Sequence, residues 1–582
     1  MRLVSALLCA SAGLVVPAPL AFAQTPLTIV GPDDQTRRAI LDILPDRERP
    51  ASLFDAERIA EEAAARARTW LRSEGYYAAT VTPDVRDEPP LARLIIEPGA
   101  RFRFDAPLLS FDGAPPDDAT REAVVLALNG LHEGEPARAA IILHAEAEAL
   151  AALQSSGYAD AAIGEHRVTV DHATARVAAE LRFNAGAAFR LGDIRAEPEG
   201  AFRPGFLHGL RNWRVGDAYS PEALARLRRD LASTGAVSRI GSRLAPADED
   251  GVRDVVLELE PAKRNAYELG LGYSTTEGAV VEARWTRRNL TGRADALTLS
   301  TTLGEIQQDI TATLARPHGA GLGHTINFGA ALQRETSDAF TRQGASLLAS
   351  VDASTRLRIG RSYGARLSAD RFDDLAGGVR DALVLSGFAE LRYDTTEFSL
   401  DPRDGAIFDF RIEPSVSAGD ASLGFVRAIA EARGYESFGE RDRLTLAGRV
   451  RGGWLESFFG SVDDVPPDRR FYAGGGGSIR GYSYNSIYPH IRDDLGLSPG
   501  GQGLFETSLE ARWRFDDKLG AALFVDGGAA FDDLEQASDL TWGAGIGVRY
   551  DLGFAPLRID VAFPLDAERD RYALYISIGQ AF

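Results

Sequence analysis

Phe505-Glu506-Thr507-Ser508-Leu509-Glu510-Ala511-Arg512-Trp513-Arg514-Phe515 puts Phe505, Leu509, Trp513 and Phe515 on one side of an extended chain and Glu506, Ser508, Glu510, Arg512 and Arg514 on the other. Successive side chains of a β-strand point to opposite faces, so the segment reads as a strand with one apolar and one charged face. The same alternation runs outward in both directions. Tyr267, Leu269, Leu271 and Tyr273 oppose Glu268, Gly270, Gly272 and Ser274, and Phe408, Phe410 and Ile412 oppose Asp409, Arg411 and Glu413. Leu444, Leu446 and Val450 oppose Arg443, Thr445, Arg449 and Arg451; Trp542, Ala544, Ile546, Val548 and Tyr550 oppose Gly543, Gly545, Gly547, Arg549 and Asp551. The last segment carries Tyr572, Leu574, Ile576, Ile578 and Phe582 on its apolar face.

A soluble β-sandwich also alternates, but its polar side faces open water and its strands often run shorter. Here charges of both signs crowd one face and aromatics cap the other, over lengths near the roughly 9 to 11 residues of a membrane strand. The 319 residues from Arg264 to Phe582 fit a transmembrane antiparallel β-barrel of about 16 strands. After the N-terminal segment no apolar run is long enough for a spanning helix, so strands are the remaining way across a bilayer.

Gly474-Gly475-Gly476-Gly477-Ser478-Ile479-Arg480-Gly481-Tyr482 lies in a loop of roughly fifty residues between two such strands, far longer than an ordinary hairpin connection. A single arginine among glycines, followed by strands carrying carboxylates on their polar faces, suggests a loop folded back into the barrel and pinned by a buried ion pair. Glu510 lies on the polar face of the next strand. Asp526 shares the inward face of the one after with Phe524 if Leu523 and Val525 meet lipid. Both carboxylates can point at a lumenal guanidinium, which is always charged and binds carboxylate in two-point fashion.

Arg2, an apolar run from Leu3 to Leu20 and Ala21-Phe22-Ala23 read as a secretory signal over residues 1–23. The sole cysteine, Cys9, lies inside it, which leaves the expected mature chain without thiol chemistry. The formal net charge of −20 argues against nucleic acid as a partner.

Residues 24–263 repeat. Helical patterns over Ile59, Ala63, Ala67, Trp70 and Leu71, over Ile141 to Leu153, and over Leu224, Leu227 and Leu231 end at Gly75, Gly157 and Gly235. These glycines fall 82 and then 78 residues apart. Each helix runs into an extended segment, beginning with Tyr76 to Val81, and each unit closes with an apolar strand: Leu94 to Glu97, Val177 to Phe183, and Val255 to Glu260. The pattern gives three tandem α+β domains at 24–100, 101–186 and 187–263, ahead of the barrel at 264–582. They serve as spacers, or present sheet edges to which a client strand adds.

Enzymatic signatures are missing from the sequence. The glycine run lacks the Lys-Ser/Thr of a P-loop, no Gly-x-Ser-x-Gly elbow occurs, and the eight histidines show no metal-binding spacing. No enzyme activity, cofactor or metal site is expected.

Three α+β repeats, a barrel and Ile479-Arg480-Gly481-Tyr482 before the fifth strand from the end resemble the POTRA-barrel superfamily of outer-membrane assembly proteins. Phe471-Tyr472-Ala473-Gly474-Gly475, Tyr482-Ser483-Tyr484, Arg392-Tyr393-Asp394 and Asp401-Pro402-Arg403-Asp404-Gly405 extend the likeness. Three repeats resemble the TamA family rather than the BamA family with five or the two-partner secretion transporters with two. The resemblance implies an outer-membrane location with the POTRA domains in the periplasm, and pairing of Arg480 with Glu510 and Asp526. It implies a TamB-type inner-membrane-anchored partner, and client β-barrels or autotransporters inserted into outer-membrane lipid. The lateral seam is expected between the first strand (Tyr267, Leu269, Gly270, Leu271, Gly272) and the last (Ile576, Ile578, Gly579, Phe582). Glycines there lack side chains to pack and weaken the pairing. A dedicated secretion transporter and a passive pore are the alternatives.

Overall fold

The computed structural model describes residues 27–45, 49–354, 358–374, 378–397, 401–439, 442–489, 500–553, 556–566 and 572–578. The expected signal segment with Cys9, and Gly579 and Phe582 of the expected seam, lie outside them. The chain forms two compact units. One holds the residues up to Leu191 with Val215–Glu222 and Ala247–Val252; the other holds Gly192–Arg214, Ala223–Pro246 and the residues from Arg253 on.

The first and third N-terminal modules are each a strand, two helices and two strands, the second has five strands, and in all three the last strand is central in its sheet. In the first, Leu27–Val30 runs parallel and Thr80–Arg86 antiparallel to Leu91–Glu97. Helix Leu53–Ser73 lays Ile59, Ala63, Ala67 and Leu71 against Leu94 and Ile96. In the second, Leu108–Phe111 runs parallel and Arg167–Asp171 antiparallel to Arg176–Asn184, under Ile142, Ala149 and Leu153. The third sheet has the order Val237–Leu244, Val252–Pro261, Arg190–Glu197, and helix Pro221–Ala232 buries Leu224, Leu227 and Leu231.

Gly75, Gly157 and Gly235 take φ of +93°, +105° and +65° just past their helices, a conformation that favours glycine. Tyr76 to Ala79 turn rather than extend, and the strand begins at Thr80. The opening strands of the first two modules escape periodicity because they are short, four residues at Leu27–Val30 and two at Arg103–Phe104. Asp33 and Asp117 cap the first helices of modules one and two. Each accepts the amide of the threonine three residues on at 2.9 Å, and hydrogen bonds from the Thr36 and Thr120 amides and hydroxyls hold both carboxyls below the usual range.

Sixteen antiparallel strands then close into a barrel. In chain order they are β1 (Asn265–Ser274), β2 (Gly278–Arg288), β3 (Ala296–Gly304), β4 (Gln307–Arg316), β5 (His324–Thr336), β6 (Phe340–Ser354), β7 (Ile359–Asp374) and β8 (Gly378–Asp394). The second half comprises β9 (Gly405–Gly419), β10 (Leu423–Phe438), β11 (Leu444–Phe459), β12 (Gly503–Arg514), β13 (Leu519–Phe531), β14 (Thr541–Asp551), β15 (Pro556–Pro564) and β16 (Ala573–Ile578). Leu269, Leu347, Leu509, Trp513, Leu523 and Ile546 stand exposed on the outside, while Glu413, Arg449, Glu506, Glu510, Arg512 and Asp526 are buried within. That inversion of a soluble protein's pattern is the signature of a barrel whose outer face meets lipid.

Because β1 leaves the third module, the turns after even-numbered strands lie at this proximal end. The loops after odd-numbered strands lie at the distal end. Strand length varies around the wall: β6 to β11 run 15 to 17 residues, whereas β1 to β4 run 9 to 11 and β15 and β16 run nine and six.

Among the described residues the shortest ladder of the barrel is the one between β1 and β16. β1 pairs with β2 through ten residue pairs and β15 with β16 through six, but β1 meets β16 through two, Tyr273↔Ile576 and Ser274↔Tyr575. One further bond runs from the Thr275 amide to the Leu574 carbonyl at 3.0 Å. Of the seam residues expected from sequence, only Ile576 joins this described ladder; Tyr267, Leu269, Gly270, Leu271 and Gly272 pair with β2 alone. The physical reason is register. With Tyr273 opposite Ile576, positions 267 to 270 would face positions 579 to 582, outside the described residues. Among the described residues the β1–β16 ladder is thus confined to the distal end of β1.

Directly paired strand residues approach within about 5.5 Å, a separation a disulfide spans. Tyr273→Cys with Ile576→Cys is expected to cross-link on oxidation, and Leu271→Cys with Ile578→Cys to cross-link far less. Unheated electrophoresis of the oxidised full-length protein measures both.

Candidate functional site

Of the 43 residues between Phe459 and Gly503, the described ones at 460–489 fold back into the barrel. The Phe471 amide donates to the Gly501 carbonyl at 2.9 Å and the Ala473 amide to the Ile487 carbonyl at 2.9 Å, each answered by the reciprocal bond, so the segment returns on itself. Its descending arm is anchored by arginines. Arg469 meets Glu413 at 3.0 Å, and Arg470 donates to the Val462 and Asp463 carbonyls at 3.1 and 2.6 Å. Arg449 of β11 donates to the Gly477 and Ser478 carbonyls at 2.6 and 3.0 Å. Ile479 is fully buried in an apolar cluster with Phe471, Leu504 and Ala530.

Arg480 sits at the tip of this loop, about 2% exposed. Its Nε and Nη2 grip Asp526 of β13 at 2.7 and 2.9 Å, its Nη1 reaches Glu510 of β12 at 2.9 Å, and its own amide donates to Asp526 at 3.2 Å. The guanidinium carbon lies 3.4 Å from the centroid of the Phe524 ring, a stacked arrangement open to a planar cation. The structure thus brings the sequence-selected Arg480, Glu510 and Asp526 together.

Sequence reasoning missed the third acid, Asp560 of β15, 3.5 Å from Arg480, and the cations that share these carboxylates. Arg512 and Arg549 bind Glu510 at 2.9 and 3.0 Å, while Arg549 and Arg558 pair with Asp560. Four guanidiniums therefore face three carboxylates. Asp526 depends on Arg480 alone: its remaining partner is the Ser508 hydroxyl at 2.6 Å, and no other ion pair reaches it among the described residues. A cue was present in the sequence, since Arg558 and Asp560 alternate with Leu557, Ile559 and Val561, but their position across the lumen follows from closure.

The close approach of the loop to the wall requires missing side chains. Gly481 has φ +104°, and a Cβ there would meet the Pro564 nitrogen at 3.0 Å; a Cβ on Gly543 would fall 2.1 Å from the Arg480 carbonyl oxygen. The Gly481 amide donates to the Tyr575 hydroxyl of β16 at 3.1 Å, and the Gly476 amide to Glu277 in the β1–β2 turn at 2.6 Å. Tyr482 donates its hydroxyl to the Trp542 carbonyl at 3.0 Å. The same loop therefore touches β12 to β16 and the turn that follows β1.

A closed sixteen-strand barrel with a long loop pinned in its lumen and α+β modules ahead of it defines an outer-membrane barrel class. The Omp85 superfamily domain matches residues 289–582, half of the chain, and the chain belongs to the Omp85 superfamily. It is 28% identical over 382 residues to the outer membrane protein assembly factor BamA of Nitratidesulfovibrio vulgaris, an alignment covering 62% of this chain and 47% of that protein. The chain spans about half the length of this curated relative. Among solved structures, BamA from Haemophilus ducreyi lacking POTRA domains 1–3 superposes with a TM-score of 0.66 at 15% identity, covering 82% of this chain and 100% of that one. CdiB from Acinetobacter baumannii superposes at 0.46 and 15% identity, over 83% and 91%. At such identities the likeness is one of fold.

Removing one partner of a buried, fully bonded charge pair costs about 3–5 kcal/mol, because the other is left desolvated. Arg480→Ala is expected to lose stability of that order. Asp526→Asn added to it should restore part of the loss, and Asp560→Asn should restore little, since Asp560 keeps Arg549 and Arg558. Urea unfolding of the reconstituted barrel in vesicles, run as a double-mutant cycle, measures the difference.

Proposed function

We propose that this chain inserts client β-barrel or autotransporter proteins into the outer membrane through the β1–β16 seam, as a TamA-like assembly barrel. The observation that carries the reading is that, among the described residues, β1 and β16 share two residue pairs while every other barrel ladder holds six or more. A strand edge with unpaired donors and acceptors templates another strand, and within a bilayer those groups have no water to satisfy them. Opening is therefore productive only when a client strand takes the vacated bonds. Folding of the client into lipid supplies the free energy without nucleotide. The short strands beside the seam also shorten the apolar belt there, and a short belt thins the adjoining bilayer, which lowers the cost of inserting a new strand.

Membership of a superfamily that includes an outer membrane protein assembly factor supports this reading, as do the three tandem modules. In it those modules stand in the periplasm after removal of residues 1–23, and a TamB-type inner-membrane-anchored protein docks on their sheet edges. Arg480, held by Glu510 and Asp526, keeps the Ile479–Tyr482 loop in the lumen while the seam works.

Reconstituted in vesicles, the oxidised Tyr273→Cys/Ile576→Cys protein is expected to lose client insertion and to regain it with reductant. Arg480→Ala should insert less client than Arg480→Lys, with the barrel itself still folded. Full insertion by the cross-linked protein, read by protease protection of the client, contradicts the lateral route.

A further inference from the structure

At the proximal rim, a cavity of about 440 Å³ is walled by Arg203 of the third module, Arg293 of the β2–β3 turn, and Arg316 with His318 from the end of β4 and its turn. All four belong to one compact unit. The rim is fixed by backbone bonds: Arg203 donates its amide to the Gly292 carbonyl at 2.8 Å, and Asn289 donates its side-chain amide to the Ala201 carbonyl at 2.8 Å. His318 has both ring nitrogens engaged, Nδ1 accepting from the Gly323 amide and Nε2 facing the Asp230 carbonyl, each at 3.0 Å. Its proton therefore sits on Nε2, and the ring is a fixed wall rather than a ligand.

The three guanidiniums are unlike those of the Arg480 cluster. Every cation around Arg480 shares a carboxylate, whereas Arg203, Arg293 and Arg316 form no ion pair among the described residues, and Arg316 Nε is buried without any hydrogen-bond partner. In a chain of net charge −20 with acids to spare, three unpaired guanidiniums around one cavity define an anion site. Gly205, Gly209 and Gly319 leave the opening uncrowded, while Phe206, Leu210 and Pro317 supply apolar lining. On the two turns that carry Arg293 and Arg316, Leu290 and Leu322 stand 41% and 40% exposed. Apolar side chains beside an unpaired cation cluster at the edge of a lipid-facing wall fit an amphiphile, with a charged head in the cavity and chains running up the barrel past exposed Leu299.

We propose that this cavity binds the phosphodiester headgroup of an anionic phospholipid from the periplasmic leaflet, fastening the third module to the membrane beside β2 to β5. The site is independent of the loop cluster and of the assembly reading.

The test uses the full-length protein in detergent micelles, titrated with short-chain phosphatidylglycerol, with phosphatidylcholine and with inorganic phosphate, and read by native mass spectrometry. Each arginine near a lipid surface contributes about fivefold in affinity for anionic lipid. Arg293→Gln, an exposed position, should weaken phosphatidylglycerol binding about fivefold, and Arg203→Gln/Arg293→Gln/Arg316→Gln should weaken it by well over tenfold. Phosphatidylcholine, whose phosphodiester is offset by its choline cation, should bind the native protein more weakly and lose less affinity in either variant, and heat-modifiable migration should show both barrels folded. Unchanged phosphatidylglycerol affinity in folded Arg293→Gln and triple variant overturns the proposal. Saturation by inorganic phosphate with no preference for phosphatidylglycerol makes the site one for the free anion and overturns the lipid assignment.

Discussion

A guanidinium with almost no solvent contact, held by three carboxylates on three different strands, is the constraint around which this barrel is organised. A loop of 43 residues has a large conformational entropy to lose, and apolar burial of Ile479 and Phe471 alone does not say where its tip must stop. Arg480 does. Its Nε and Nη2 match the two oxygens of Asp526, and its remaining nitrogen lies between Glu510 and Asp560, so the arginine fits one position on the inner wall. Arg512, Arg549 and Arg558 then balance acids that a single cation could not neutralise. Such a network is costly to half-build and stiff once complete.

The same loop ties the charge cluster to the seam. One amide, at Gly481, bonds Tyr575 on β16, and another, at Gly476, bonds Glu277 beside the end of β1. β1 and β16, joined through two residue pairs among the described residues, are thus also held from inside by the segment that carries Arg480. Loop placement and seam closure are in this sense one mechanical system.

Much of this was legible before any coordinates. Period-two alternation with charges of both signs on one face and aromatics on the other pointed to the barrel, and the 319 residues from Arg264 on set its strand number at about 16. It also put Glu510 and Asp526 on inward faces, since one residue's orientation fixes that of its whole strand. What alternation does not carry is which inward residues meet across the lumen. Arg549 and Arg558 are directly opposed in the ladder, like charges that make sense only with Asp560 and Glu510 between them, and this appears once strands are paired. The module strands Leu27–Val30 and Arg103–Phe104 were too short to show a period, and the pairing of Tyr273 with Ile576 follows from the register of β16, which no residue type announces.

The central claim is that Arg480 keeps the loop tip in the lumen, and a single buried neighbour reports on it. In a Cys9→Ser background, a cysteine placed at the fully buried Ile479 should resist a membrane-impermeant maleimide in the folded protein, and should label readily when Arg480→Ala is added. Equal labelling with and without Arg480, in barrels equally folded by heat-modifiable migration, would contradict the account.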